Sequence, residues 1–340
     1  MSKYVSTKFL SGLFFLGAPL AVAFFLSGPA WAAEWHFYGI ANIRSFIHNR
    51  DTPEAVGLQT YSHVDSDSKI GARIRANDQL KARFELDTEG TLKKLYGEWK
   101  FGAGRVLIGQ TYTPVYMDYC LEEYGGISGG RRPMIQLRIK GLKLALIAPR
   151  AKSLNISGTT RKVVVPKFEV SYNWDSEDLA FELAAGYNTY ELIKGSDTYR
   201  IDSYLMGLGA QAQWGAVLFA GNIYLGRNLG PYGLKTATDA FPTITGSRLN
   251  DNAGLGCVLM ARYLPTDTVS MEVGYGYQAS QLENAVSKDS AQACYGLVKF
   301  ALAPGVYMGP EIGIIDEKKD ANGNRESRTL YYGIEWEIQF

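Results

Sequence analysis

Residues 69–87 read KIGARIRANDQLKARFELD, and this stretch decides the fold. Apolar and charged side chains alternate on either side of Asn77-Asp78, a dipeptide that favours a tight turn. Because successive side chains of a β-strand point to opposite faces, each arm has one apolar face and one charged face. The stretch therefore predicts a β-hairpin that meets lipid on one face and water on the other.

The same alternation recurs from Trp35 to Phe340 and divides this part of the chain into sixteen predicted strands. Connections after even-numbered strands are mostly short turns, and those after odd-numbered strands are mostly longer loops. Both features are typical of single-chain outer-membrane barrels. The sheet must close, because an open edge would leave backbone groups unsatisfied in hydrocarbon. The predicted fold class is all-β, a 16-stranded antiparallel transmembrane β-barrel with an inward-folded constriction loop.

The ends of the predicted strands lead to two further expectations, one for the first loop and one for the aromatic residues. The first strand is expected to run from Trp35 to Phe46, with a polar loop from there to Ser68. Aromatic residues near strand ends are expected to form the girdles that mark the two membrane interfaces. These residues are Trp35, Tyr38, Trp174, Tyr187, Tyr263, Trp336 and Phe340.

One connection, Thr113–Pro133, has 21 residues and no sustained periodicity: it reads TPVYMDYCLEEYGGISGGRRP. A structureless connection of this length is usually functional or disordered. Its acidic residues are Asp118, Glu122 and Glu123. Taken alone, the segment is an ordinary acidic surface loop. Sixteen strands, however, make a barrel wide enough for an aqueous channel, so the segment is predicted to fold into the lumen and narrow the pore.

The first 32 residues are predicted to be a signal peptide. Lys3 and Lys8 begin it, an apolar run covers residues 9–26, and Ala30–Ala32 has the small-x-small form of a cleavage site. An uncleaved anchor is the alternative, because the apolar run is almost long enough to span a bilayer. Glycine and proline inside the run favour cleavage, which leaves residues 33–340 as the barrel domain.

Charge and cysteine content bound the class of protein. The chain has 35 Lys+Arg and 34 Asp+Glu, and without Lys3 and Lys8 the balance is 33 against 34, a net charge of −1. No excess of charge points to nucleic acid as a partner. An odd number of cysteines cannot form a complete internal disulfide framework. The three are predicted to be free thiols, and a strand is predicted between the last two: Cys120, Cys257 and Cys294.

Four stretches resemble the general bacterial porins. Residues 68–87 are similar to the porin pattern of a glycine-bearing strand, a turn and a returning strand. Residues 96–114, YGEWKFGAGRVLIGQTYTP, resemble the segment that enters the porin constriction loop, and residues 123–126, EYGG, resemble an element of that loop. The last strand, which ends in Phe340, is similar to the assembly signal of the family. The resemblance implies a homotrimer in the outer membrane of a Gram-negative bacterium.

The charged strand faces give the candidate site. Basic residues of the pore wall are predicted to be Lys69, Arg73, Arg75, Lys81, Arg83, Lys94, Arg132 and Arg138. The loop would present its three acidic residues to this wall, and the transverse field would orient dipolar solutes and penalise apolar ones. Because basic charge exceeds acidic charge at this level, weak anion preference or near-neutrality is predicted. Replacing Glu122 and Glu123 by Gln is predicted to shift selectivity towards anions.

Three functions remain open at this point. The first is passive diffusion of small hydrophilic solutes and ions through a water-filled channel in outer-membrane lipid. The second is a substrate-specific channel, for which the tyrosines of the loop would form an aromatic slide. The third is a non-conducting structural or adhesive barrel. No cofactor, metal site or enzymatic centre is predicted, since His36, His48 and His63 lack metal-ligand spacing and Asp320–Glu326 lacks the ligands of a calcium loop.

Overall fold

The computed structural model describes residues 33–52, 56–121, 124–149, 159–163, 165–232, 234 and 240–340. The predicted signal peptide and two of the predicted acidic site residues, Glu122 and Glu123, lie outside these ranges.

Antiparallel strands make up most of the described chain. In chain order they are β1 Glu34–Asp51, β2 Val56–Val64, β3 Lys69–Arg75, β4 Leu80–Asp87, β5 Leu92–Phe101, β6 Gly104–Tyr112, β7 Tyr116–Met117, β8 Ile127–Ser128, β9 Arg131–Ile139, β10 Leu142–Ile147, β11 Thr159–Lys162, β12 Lys167–Asp175, β13 Leu179–Lys194, β14 Asp197–Trp214, β15 Val217–Arg227, β16 Thr243–Thr245, β17 Arg248–Asn250, β18 Asn252–Thr266, β19 Val269–Leu282, β20 Asp289–Ala303, β21 Val306–Lys319 and β22 Arg328–Gln339.

The wall of the barrel has sixteen strand positions among the described residues. β3 pairs with β1 over Glu34–Ile40 and β2 pairs with it over Ile43–Asp51, so β2 and β3 share one position. β11 and β12 share another beside β13. β7 with β8 and β16 with β17 form small separate sheets. The predicted 16-stranded antiparallel barrel is confirmed.

The barrel closes between β1 and β22. Their register runs from Ile40 opposite Gln339 to Asp51 opposite Arg328. Beyond it, the amide of Gly39 donates to the carbonyl oxygen of Phe340 at 2.7 Å, and the amide of Phe340 donates back to Gly39 at 3.0 Å. Because first and last strands pair in this way, neither presents an open edge to the bilayer.

The expected polar loop between Phe46 and Ser68 is wrong. β1 continues to Asp51, and Val56–Val64 returns along it as β2. Over this length β1 also pairs with β22, from Ile43 opposite Trp336 to Asp51 opposite Arg328, so the hairpin is part of the wall. In β2, polar residues fall on both faces and obscure the alternation: Gln59, Thr60, Ser62 and His63. Backbone pairing, which the side-chain pattern does not report, holds the hairpin together.

The outer face is apolar, as the alternation predicts. Ile70 is 57% exposed, and the aromatic residues expected at the interfaces are exposed with one exception. Tyr38 points into the lumen, where its hydroxyl donates to Glu85 at 2.7 Å, so its assignment to the girdle is wrong. It alternates with Trp35 and Phe37, which are 51% and 73% exposed and lie on the outer face.

One helical turn, Leu229–Tyr232, follows β15. No helix within the described ranges has the length and apolar character needed to cross a bilayer.

Candidate functional site: the constriction of the lumen

The described residues of the constriction loop, 113–121 and 124–130, lie inside the barrel. The outgoing arm of the loop begins at Val115, whose amide donates to Glu169 of β12 at 2.9 Å. Near the tip, the amide of Leu121 donates to the hydroxyl of Tyr295 on β20 at 2.9 Å. β7 and β8 join the two arms as a short hairpin. The loop therefore lies along the inner wall from β12 to β20, which confirms the predicted inward fold.

The returning arm is fixed by polar contacts. Tyr124 donates from its hydroxyl to Glu317 of β21 at 2.9 Å, and Asn222 of β15 donates to the carbonyl oxygen of Gly125 at 2.9 Å. Residues 131–133, which the sequence assigned to the loop, already belong to β9.

Apolar side chains anchor the loop to the inner wall of the barrel. Val115, Met117 and Ile127 are buried in one cluster with wall residues of β13–β15. Glycines of β14 make room for them, since a Cβ at Gly207 would lie 2.7 Å from Cδ1 of Ile127 and one at Gly209 would lie 2.8 Å from the sulfur of Met117. These apolar anchors were not among the predicted features of the loop. The signal for these anchors in the sequence is the apolar pair Val115 and Met117 on either side of Tyr116. The glycines Gly207 and Gly209 on the inner face of β14 are its counterpart in the wall.

A polar cavity of about 320 Å³ opens beside the loop. It lies between one side of the loop and the wall formed by β1, β3, β5 and β20–β22. Its charged lining among the described residues consists of five basic and four acidic side chains: Arg44, Lys69, Lys94, Arg131, Lys299, Asp67, Asp118, Glu335 and Glu337. A passage of this composition favours hydrated solutes over apolar ones.

Several wall charges are paired, which fixes where they point. Lys94 lies 2.9 Å from Glu85, and Arg83 contacts the same carboxylate. Arg44 lies 3.3 Å from Asp65 and 3.5 Å from Glu335. Pairing reduces the net field of these groups but holds each side chain in place within the passage.

An aromatic pair joins the wall to the loop. The rings of Tyr112 and Tyr116 stack with centroids 3.9 Å apart, and the guanidinium of Arg131 lies 4.4 Å from the Tyr112 centroid. Tyr116 donates to Asp118 at 2.6 Å. Burial and this hydrogen bond raise the pKa of Tyr116, so its phenol remains neutral at physiological pH. Asp118 is consequently held at a defined place on the loop.

The predicted site residues are distributed over three places. Lys69, Lys94 and Asp118 meet at the cavity. Arg73 and Arg83 lie 5.3 and 5.4 Å from the ring of Tyr38, nearer the Asn77-Asp78 turn.

The remaining predicted residues lie away from the cavity. Arg75 forms a salt bridge with Asp78 at the turn, and Lys81 of β4 lies opposite Arg75 in the sheet. Arg132 donates to the carbonyl oxygen of Pro149 at 3.4 Å, and Arg138 lies 3.4 Å from Glu98.

Six charged residues at the cavity were missed: Arg44, Asp67, Arg131, Lys299, Glu335 and Glu337. They lie on β1, β9, β20 and β22 and in the connection between β2 and β3. Their polar faces are visible in the sequence, but only barrel closure brings β1, β20 and β22 opposite the loop. The acidic charge at the constriction thus comes from the wall as well as from the loop.

Solved structures of outer-membrane channels resemble this chain, although no family model matches it and no curated protein matches it in sequence. The outer-membrane channel DcaP of Acinetobacter baumannii is 12% identical, with a TM-score of 0.73 over 92% of this chain and 99% of that one. The chain has the porin fold.

Two further structures agree with this porin fold. The anion-selective porin from Comamonas acidovorans is 14% identical, with a TM-score of 0.63 over 91% of this chain and all (100%) of that one. The trimer form of OmpT, an outer-membrane protein of Vibrio cholerae, is 13% identical, with a TM-score of 0.58 over 91% of this chain and 100% of that one. At 13% and 14% sequence identity, the similarity to these two structures concerns the fold alone.

Proposed function

We propose that this chain is an outer-membrane porin that lets small hydrophilic solutes and ions diffuse through a water-filled channel. The observation that carries the proposal is the polar cavity beside the constriction loop, with charged residues on the loop side and on the wall side. The buried apolar side chains of the loop, Val115, Met117 and Ile127, pack against β13–β15, and Tyr116 and Asp118 line the cavity.

The lining also supports a sign of selectivity. Five basic side chains against four acidic ones give a small positive excess among the described residues of the cavity. Arg73 adds positive charge along the path towards the Asn77-Asp78 turn, whereas Arg83 is paired with Glu85. The proposal therefore includes weak anion preference. An anion-selective porin among the similar structures is compatible with this sign.

Assembly and location follow the same proposal. The mature chain is a homotrimer in the outer membrane of a Gram-negative bacterium, exported by a signal peptide that is removed before Ala33. A trimer form among the similar structures supports the assembly. No chemical reaction is assigned to the lumen.

The deciding experiment is single-channel recording of the refolded mature chain in a planar bilayer with a salt gradient. We expect stepwise ohmic conductance, with closures in groups of three if the assembly is trimeric, and a reversal potential of the sign for anions. A folded, inserted barrel without current would refute the diffusion channel and favour a structural barrel. A clear cation preference would refute the proposed sign.

A substrate-specific channel is the second candidate, and the stacked Tyr112–Tyr116 pair beside Arg131 favours it. Such a pair offers a planar apolar surface next to a cation, to which a planar anion would bind. Current that is blocked in a saturable way by benzoate, and not by acetate at the same concentration, would support this candidate over free diffusion.

A further inference from the structure

The chain turns into the barrel a second time at Asn228. This buried residue has φ of +52°, a conformation that Asn tolerates better than most residues. Its side-chain amide donates to the carbonyl oxygen of Asp202 at 2.9 Å and to the carboxylate of Asp251 at 2.6 Å. Its oxygen accepts the amide of Asn252 at 2.9 Å. These bonds fix the bend that directs the helical turn Leu229–Tyr232 inward.

The helical turn packs against the constriction loop. Leu229 and Tyr232 are 1% and 0% exposed. They share a single apolar cluster with the anchors of the loop, namely Val115, Met117 and Ile127. A Cβ at Gly186 would overlap the hydroxyl of Tyr232, so the inner face of β13 is shaped to admit this ring. Two inward segments therefore hold each other in one half of the lumen.

A buried ion pair lies at the junction of the two segments. Nζ of Lys167 is 2.8 Å from the carboxylate of Glu169, and these side chains are 1% and 0% exposed. Nζ also donates to the carbonyl oxygen of Tyr232 at 3.0 Å and lies 3.7 Å from the centroid of its ring. The other carboxylate oxygen of Glu169 accepts the amide of Val115 at 2.9 Å. One partner of the pair thus holds the helical turn and the other holds the constriction loop.

We propose that Lys167 and Glu169 are positioning residues that, with the helical turn, lock the constriction loop to the wall and keep the passage at constant width. A buried ion pair costs desolvation, and hydrophobic packing alone would cover this wall at less cost. The pair stabilises the structure here through the two backbone groups that it binds, the amide of Val115 and the carbonyl oxygen of Tyr232. These two groups belong to the constriction loop and to the helical turn, which are not part of the barrel wall. The backbone hydrogen bonds of the wall itself do not depend on the pair.

This inference rests on the proposed function for its effect on current, but not for its effect on the loop. Two separate measurements therefore test it. Hydrogen exchange at the amide of Val115 reports whether the loop leaves the wall. Single-channel current noise reports whether the passage changes width. Heat-modifiable gel migration shows in each case that the barrel itself has folded.

The variants are Lys167→Met, Glu169→Gln and the double variant with both changes. Each single change leaves a buried charge or a buried polar group without its partner, which is the costly arrangement, whereas the double change removes both charges. We expect exchange at Val115 to be about a hundredfold faster in the single variants and to recover most of its protection in the double variant. Current should fluctuate in the single variants and become steady again in the double variant.

Lys162→Met is the matched control, because it makes the same substitution in an exposed pair with Glu191, 3.6 Å apart, at the end of the wall. It should leave exchange and noise unchanged. Folded single variants with normal exchange at Val115 would overturn the lock. If the single variants do not fold, Tyr232→Leu tests it, since this change keeps both charges; unchanged exchange there would also overturn the lock. A wild-type barrel without current would refute the proposed function, and the exchange result would still decide the lock.

Discussion

Asn222 on β15 donates a hydrogen bond of 2.9 Å to the carbonyl oxygen of Gly125 on the returning arm of the constriction loop. Gly125 has φ of +88°, and a Cβ at this position would overlap the carbonyl oxygen of Cys257 and lie 2.8 Å from that of Tyr277. The arm touches the backbone of the wall here. Only glycine combines this conformation with so close an approach.

Gly125→Ala is therefore expected to push the returning arm off β18 and β19. The new methyl group meets backbone atoms, which cannot move without breaking the sheet, and the residue is strained at positive φ; together these cost about 1–3 kcal/mol of loop stability. Single-channel recording should show altered conductance with more noise.

Gly130→Ala is the control, because Gly130 has φ of +78° with no neighbour within 4 Å of a Cβ. It introduces the same strain without the overlap. Equal effects of the two variants would contradict the close approach of the arm to the wall.

Tyr295→Phe is expected to free the tip of the loop. Its hydroxyl accepts the amide of Leu121 at 2.9 Å and donates to Glu272, so the change leaves a loop amide and a buried carboxylate without this partner. Faster hydrogen exchange at Leu121, in a barrel of normal heat-modifiability, is the predicted result. Tyr275→Phe, on the outer face, is the control that should leave exchange at Leu121 unchanged.

Charge removal at the cavity is expected to move the selectivity in opposite directions. Asp118→Asn removes an acidic group and should raise the anion/cation permeability ratio about twofold. A unit charge about 8 Å away in water contributes about 0.5 kcal/mol, and screening at about 0.1 M salt roughly halves this energy. Because the change has opposite signs for anions and cations, the ratio changes by about 0.5 kcal/mol. Arg131→Gln should lower the ratio by a similar factor. Reversal potentials in a salt gradient measure both. Lys140→Gln makes the same charge change at an exposed turn, and a shift as large as that of Arg131→Gln would show that the cavity does not set selectivity.

The same measurement at different salt concentrations needs no variant. The Debye length falls from about 10 Å at 0.1 M salt to about 3 Å at 1 M, so charges that line a water-filled passage lose their effect on passing ions. The anion preference should therefore decline towards a ratio of one as salt rises. A preference that is independent of salt would indicate a dehydrated binding site instead of a wet passage.

Removal of the first 32 residues is tested on the protein isolated from the outer membrane. Intact-mass analysis should give a chain that begins at Ala33, because Ala30–Ala32 presents small residues on both sides of Trp31 to the peptidase. Ala32→Arg should block processing, while Ala33→Ser should not. A mature mass that retains the apolar run would favour the uncleaved anchor.

The alternation of apolar and charged residues was sufficient to predict the barrel. It reports which face of a strand meets lipid, and Ile70 and Arg73 lie on the faces that the pattern assigns to them. Polar residues on both faces of β2 interrupt the pattern, so the hairpin of β1 with β2 was missed. Tyr38 shows the other failure, because an aromatic residue near a strand end suits an interface girdle as well as a cation pair in the lumen.

The sequence by itself therefore determined the strand faces, the closed sheet and the position of the long loop between β6 and β9, because each depends on local periodicity or on the need to satisfy backbone groups in lipid. Only the tertiary structure decided which side chains lie together at the constriction. Closure places Glu335 beside Arg44, across nearly the whole length of the chain. Folding inward places Tyr232 and Val115 on the two sides of the Lys167–Glu169 pair. No local pattern encodes such contacts, since they depend on the diameter and register of the finished barrel.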